Sequence, residues 1–166
     1  MNIFHTNECP FISASSLCDI HVNKMLTETV QMLCTAIQLN TKWVGCTHDP
    51  NIWRSAYPNH PMTKWVRESL GNYQWAFAHA HGLKEEYWFR FGKRNHKSVS
   101  MLQSLPPFYS FDLQDMTEPP QCMPDEYKQK NYKTAYKNYY IGEKLTQKWC
   151  VWNKGRQMPD WLKKHP

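Results

Sequence analysis

Apolar positions recur at helical spacing through much of this chain, and no stretch of about five residues alternates as a half-buried strand would. In the segment from Cys18 to Leu39, Ile20, Val22, Met25, Leu26, Val30, Leu33, Ala36 and Ile37 lie mostly on one side of a helix. His21, Lys24, Glu28 and Gln31 fall within roughly 80° of one another on the other side. A cap at Ser13, Ser15 or Ser16 would start that helix, which is expected to run to about Leu39. A loop follows through Trp43, Gly45, Pro50 and Pro58, after which Pro61 suits a first helical turn with Asn59 as its cap. Met62, Trp65, Val66, Ser69, Tyr73, Ala76, Phe77 and Ala80 continue a second helix, weakened by Gly71 and Gly82, towards Arg90 and an end at Gly92.

The remaining chain is more broken. A short helix is expected over Ser98–Ser104, and Pro106, Pro107, Pro119, Pro120 and Pro124 make residues 105–124 a loop. Asp125 and Glu126 after Pro124 suit a helix start, a long helix is expected over Asn131–Trp152, and Pro159 restarts the chain for a turn through Trp161. The fold class is therefore all-α: a compact single domain over residues 1–166, with three main helices, short helices and long Pro-rich loops.

At 166 residues, one domain can bury roughly 70% of the unfolded chain's surface. Its 8 Trp and 9 Tyr supply ample core material. No run approaches the 18 or so apolar residues of a membrane span, and Met-Asn-Ile-Phe-His-Thr-Asn-Glu lacks a signal peptide's basic and apolar regions. A cytoplasmic protein without membrane contact is the expectation. The cysteines at 9, 18, 34, 46, 122 and 150 form no Cys-x-x-Cys pair, so reduced, packed thiols are expected rather than a disulfide framework. Cys46 and His48 offer two metal ligands but nothing nearby completes a tetrahedral set, so neither a metal nor a cofactor is expected.

Charge is unevenly placed. Residues 1–127 carry 10 Lys/Arg against 12 Asp/Glu, whereas residues 128–166 carry 10 against 2, interleaved with aromatics from Tyr127 to Trp161. Lysines neutralise phosphates and aromatics stack on bases, which points to duplex DNA as a partner. Lys133, Lys137, Lys144 and Lys148 recur at helical spacing and are expected to share a DNA-binding face with Tyr140. A solubilising basic surface over an aromatic core has the same composition.

Three polar groupings are candidates for chemistry. The row Asp19, His21, Lys24, Glu28 and Gln31 offers an imidazole, an ammonium, a carboxylate and an amide, which together bind anions and move protons. An amphipathic helix otherwise turns such a row to solvent. Asn59 and His60 stand at a helix start, where free N–H groups attract anions, with Arg67 further on. Met123-Pro-Asp-Glu-Tyr-Lys128 either orders a substrate loop through Asp125 and Glu126 or caps the last helix. Lys84, Glu85, Glu86 and Arg90 have the i,i+4 spacing of an ordinary helix surface, and His79 and His81 look structural.

Cys-Asp-x-His-x-x-Lys-Met at 18–25 is followed by Glu28 and Gln31, Asn-His-Pro at 59–61, Trp65, Arg67-Glu68 and Asn72-Tyr73. With Met-Pro-Asp-Glu at 123–126 and Tyr-x-Asn-Tyr-Tyr-x-x-Glu-Lys at 136–144, this pattern resembles a group of small phage-encoded DNA-modification proteins over nearly the whole chain. It is more distantly similar to the pyrimidine-dimer DNA glycosylases of the endonuclease V type. Those are compact all-α proteins whose first long helix bears a His and, seven residues later, the catalytic Glu; His21 and Glu28 have that spacing. Such glycosylases use the amine of a small residue 2 as nucleophile. Here residue 2 is Asn, which disfavours removal of Met1, and Thr27 and Gln31 stand where helix arginines are expected.

The resemblance implies an enzyme acting on a pyrimidine extruded from duplex DNA. The expected activity is that of an amino acid:DNA transferase of thymidine hypermodification, in which a free amino acid such as glycine displaces phosphate from 5-phosphomethyl-deoxyuridine. His21 or Glu28 would take the amine's proton, with Lys24, His60 and Arg67 binding phosphate or carboxylate. A pyrimidine-dimer or modified-base glycosylase with lyase activity is the alternative, and a non-catalytic DNA-binding protein is the third reading. A monomer is expected.

Overall fold

A computed structural model gives the fold and describes residues 2–40, 50–106 and 116–163. Trp43, Gly45, Cys46, His48 and Pro107 lie outside the described residues. The helices are α1 (Pro10–Ser15), α2 (Asp19–Leu39), α3 (Pro61–Glu68), α4 (Leu70–Phe91), α5 (Lys97–Ser104), α6 (Tyr132–Tyr139) and α7 (Asp160–Lys163). A 3₁₀ turn spans Asp125–Tyr127, and a π-helical turn, Tyr140–Lys144, extends α6. The fold is all-α, with no strand among the described residues. None of these helices is long and apolar enough to cross a membrane.

The long helices α2 and α4 pack together, α3 and α5 cover them, and α1 lies on α4. Val22, Leu26, Val30 and Leu33 of α2 are fully or nearly fully buried with Val66 of α3 and Ala76, Ala80 and Leu83 of α4. Gly82 lets α1 come close. A methyl group there would sit 3.0 Å from the Ala14 Cβ and 3.2 Å from the Phe11 Cα. Gly92 ends α4 with φ of 77°, a left-handed conformation that glycine adopts without strain.

Several boundaries differ from the sequence expectation, each for a local reason. The expected serine caps do not start α2. Ser13 donates to the Phe4 carbonyl at 2.7 Å and accepts from the Thr6 N–H at 3.0 Å, fastening the N-terminal segment. Ser16 bonds back to Ile12, and α2 begins after Cys18 without a side-chain cap. The second helix is interrupted at Ser69, whose extended backbone ends α3 while its hydroxyl accepts from the Asn72 N–H at 3.1 Å and restarts α4. Gly71 and Gly82 do not break it. His60, not Asn59, caps α3, its Nδ1 accepting from the Met62 N–H at 3.2 Å. The helix expected over Asn131–Trp152 stops far short of Trp152, because its last turn widens and the Leu145 N–H bonds the Tyr140 carbonyl at 2.9 Å.

Glu86 and Arg90 are buried rather than part of a helix surface. The Arg90 guanidinium donates to the Leu17 carbonyl at 2.7 Å, the Ser15 carbonyl at 3.0 Å, Asp19 Oδ1 at 3.2 Å and Glu86 Oε2 at 3.1 Å. Arg156 forms a forked pair with Glu86 at 2.6 and 3.0 Å, and the Asn153 N–H donates to Asp19 Oδ2 at 2.8 Å. This network joins α1, α2, α4 and the segment before α7. Its guanidinium geometry meets every acceptor it faces, which offsets the cost of burying the charges.

His5 and His79 are also buried, both stacked on Trp75, at 4.0 and 5.3 Å between ring centroids. Neither imidazole has a hydrogen-bond partner among the described residues. Burial holds His79 down to about 3 and His5 well below the ordinary histidine value of 6.5. The unfolded chain therefore binds protons that the folded chain refuses. Stability is fully present above the unfolded value and falls as pH drops below it. Between about pH 7.5 and about pH 5, urea unfolding should lose roughly 2 kcal/mol per imidazole. His79→Phe should flatten that dependence, and an unchanged slope would contradict it.

Candidate functional site

The N-terminal segment runs beside α2 and closes a cavity against it. Asn2 anchors this segment: its side-chain amide donates to the Cys122 carbonyl at 2.9 Å, and its Oδ1 accepts from the Ile3 N–H at 2.8 Å and the Tyr136 hydroxyl at 3.3 Å. Its backbone N–H then donates to Glu28 Oε2 at 2.8 Å. Lys24, one helical turn before, stands 3.9 Å from Glu28 Oε1. The two differ sharply in exposure: 64% of the Lys24 side chain faces water against 16% of Glu28. A carboxylate held from both sides in a half-dry setting is oriented, and its partner cation is free to swing towards a ligand.

A cavity of about 230 Å³ opens here, lined by Asn2, Phe4, His21, Lys24, Met25, Glu28, Cys122, Tyr139 and Lys144. His21, Lys24 and Glu28 thus share one cavity, as their helical spacing suggests. Lys144 joins them from the π-helical turn, its ammonium 4.5 Å from the Tyr139 ring centroid. Aromatic rings fix the imidazole: Phe4 stacks on it at 5.1 Å, with Tyr140 and Trp149 edge-on at 5.4 and 5.1 Å.

The Tyr140 hydroxyl lies 2.8 Å from His21 Nδ1 and accepts from the Cys18 N–H at 3.0 Å. Assigning this hydroxyl as donor to Nδ1 leaves Nε2 to carry the ring proton. The Nε2–H is then a hydrogen-bond donor on the cavity side, beside the Glu28 carboxylate. His60 is near enough to feel the charge of Glu28, but burial lowers its pKa overall, and capping α3 occupies its Nδ1. It therefore adds no further cation to Lys24 and Lys144 for an anionic ligand.

The other sequence candidates lie elsewhere. Tyr140 is fully buried and cannot meet DNA; it positions His21 instead. Asp19 faces inward to Arg90 and the Asn153 N–H, so it is not a substrate ligand. Gln31 is half-buried one turn beyond Glu28 and does not line the cavity, and Asn59 is exposed before α3. Arg67 donates to the Pro58 carbonyl. Asp125 is exposed and paired with Lys128 at 2.6 Å, and Glu126 is exposed beside it.

The four lysines do not form one helical face. Lys133 pairs with Glu8, Lys137 lies 5.8 Å from the Trp161 ring centroid, Lys144 sits on the widened turn, and Lys148 is exposed beyond the helical segment. A larger cavity of about 440 Å³ lies between Glu8, Glu118, Lys130, Asn131, Tyr132 and Lys133, but its Glu8 and Lys133 already satisfy each other.

Phe4, Met25, Cys122 and Tyr139 were not foreseeable as site residues. Met25 reads as core from its helical position, and the other three come from distant, largely non-periodic parts of the chain. No protein-family model, curated protein or solved structure matches this chain.

Replacing Tyr140 by Phe strands the Cys18 N–H and His21 Nδ1 in a buried setting. The expected loss of about 1–3 kcal/mol is read from the denaturant midpoint, with helical circular dichroism retained. A midpoint equal to that of the parent would show that the hydroxyl bridges nothing of consequence.

Proposed function

We propose that this chain modifies a pyrimidine extruded from duplex DNA, transferring an amino acid such as glycine onto 5-phosphomethyl-deoxyuridine with loss of phosphate. The observation that carries this reading is Glu28, held by the Asn2 N–H and Lys24 at the edge of a cavity with His21. The resemblance of the motifs around it to phage DNA-modification proteins supplies the substrate class. At about 230 Å³ the cavity is smaller than the roughly 300–1,000 Å³ typical of drug-sized ligands, which suits one base edge and a small amine.

In this reaction the amine nitrogen bonds the methylene carbon as the carbon–oxygen bond to phosphate breaks, and the electron pair departs with phosphate. Glu28 takes the amine's proton. Lys24 and Lys144, both cationic at the cavity, stabilise the charge gathering on the departing phosphate, and His21 Nε2–H donates to the base or phosphate. Extruding the base costs a few kcal/mol, which contacts between lysines and the DNA backbone offset.

Incubation with phosphomethylated duplex and glycine, followed by nucleoside mass analysis, should reveal a glycyl-methyl adduct. Glu28→Gln should reduce its rate by about 10²–10⁴. No adduct from the parent protein would sink this reading.

The 2.8 Å contact between the Asn2 nitrogen and Glu28 favours a second reading, a pyrimidine-dimer or modified-base glycosylase. In the glycosylases that the chain distantly resembles, the residue 2 nitrogen is the attacking amine. Here it is a peptide nitrogen, so lyase chemistry through it requires loss of Met1. A protein–DNA adduct trapped by borohydride on damaged duplex would decide for that reading and against the transferase.

A further inference from the structure

Cys18 and Cys150 are far apart in sequence and meet behind His21. The Asp19 N–H donates to the Val151 carbonyl at 2.9 Å, so the two main chains run side by side one residue beyond each cysteine. The thiols share a hydrogen bond, and both also touch the Tyr140 hydroxyl that bonds His21. Cys18 is fully buried, whereas Cys150 is 6% exposed, on an irregular segment next to exposed Trp149 and Val151. Neither thiol has a part in the proposed transfer chemistry.

From this geometry we infer that Cys18 and Cys150 are a redox pair, closing to a disulfide when the chain meets a peroxide. Contact between thiols on adjoining main chains suits a bond that needs Cα atoms within about 4.4–6.8 Å. One sulfur, as thiolate, attacks the peroxide and its O–O bond breaks, leaving a sulfenic acid and one water or alcohol. The second sulfur displaces the hydroxyl of that sulfenic acid as water. The two sulfurs together lose two electrons, the peroxide gains them, and both thiol protons end in the released products.

The local chemistry favours this course. The hydrogen bond from Cys150 lowers the Cys18 thiol, making it the readier nucleophile of the two, while the same bond and burial push the Cys150 thiol up. His21 and Tyr140, both beside the Cys18 sulfur, act on that thiol in the same direction. Cys122 makes a useful internal comparison, because burial raises its thiol instead. Closing the disulfide replaces the hydrogen-bonded thiol pair beside His21 and Tyr140 by a bridge that neither donates nor carries charge, so the oxidised chain carries an altered imidazole environment in the cavity. The pair stands whether or not the cavity acts on DNA.

The test is limited peroxide treatment of the full chain, quenching by alkylation under denaturing conditions, and non-reducing peptide mass mapping. A peptide joining Cys18 to Cys150, lighter by two hydrogens and released by a dithiol, is expected to form roughly tenfold faster than oxidation of Cys122. Cys150→Ser should abolish the reversible product and send Cys18 on to higher oxidation states. Should that variant not fold, the mapping of the parent chain decides alone. Two thiols still open to alkylation, or Cys18 oxidised without joining Cys150, would overturn the inference. A shift of the His21 imidazole resonances on oxidation, reversed by the dithiol, is the signature that a merely structural disulfide would not give.

Discussion

The Arg90 guanidinium is the joint on which the rest of the structure depends. It reaches the carbonyls of Ser15 and Leu17, where α1 gives way to α2, and the carboxylates of Asp19 and Glu86. Arg156 and the Asn153 N–H bring the segment before α7 to the same carboxylates. A buried arginine whose donors all meet acceptors roughly balances its desolvation, whereas removing one partner of such a set commonly costs about 3–5 kcal/mol. The network therefore specifies an arrangement more than it adds net stability. It sets the start of α2 and, with it, the direction in which His21, Lys24 and Glu28 project.

The second constraint is the widened turn after α6. A continuous α-helix would carry residues 140–152 away along the axis of α6. The π-helical turn ends that course, and the chain bends back so that Val151 meets the Asp19 N–H and Cys150 meets Cys18. Tyr140, the first residue of the turn, is thereby buried with its hydroxyl between the Cys18 N–H and His21. Such turns cost regular hydrogen bonds and recur at functional sites. Here the gain is an imidazole fixed at its back edge, with its other edge at a cavity that also holds a carboxylate and two ammonium groups.

Much of the fold was legible in the sequence because it rests on local signals. The apolar period located α2 to its end at Leu39, Pro61 started α3, and Gly92 stopped α4 through its left-handed backbone. What escaped depends on partners remote in the chain. Glu86 and Arg90 have the spacing of a surface pair, and only Asp19 and Arg156, brought in by tertiary packing, make them interior. Ser69 fits the helical period yet breaks the helix, because its hydroxyl caps α4 while Asn72 bonds the Trp65 carbonyl and Thr117. The polar row on α2 was visible at His21, Lys24 and Glu28. That Asp19 turns inward, and that Asn2, Phe4, Cys122 and Tyr139 complete the cavity, follows from no periodicity.

Under the proposed function, the cavity along α2 receives a base from duplex DNA. The most direct measurement is an NMR titration of the full chain with a duplex carrying one 5-phosphomethyl-deoxyuridine, at about 0.1 M salt and again at higher salt. Shifts are expected to converge on Asn2, His21, Lys24, Glu28 and Lys144, an unmodified duplex is expected to move these residues less, and affinity is expected to decline with salt. Shifts gathered instead around Glu118 and Lys130, or none at any residue of the α2 cavity, would contradict it.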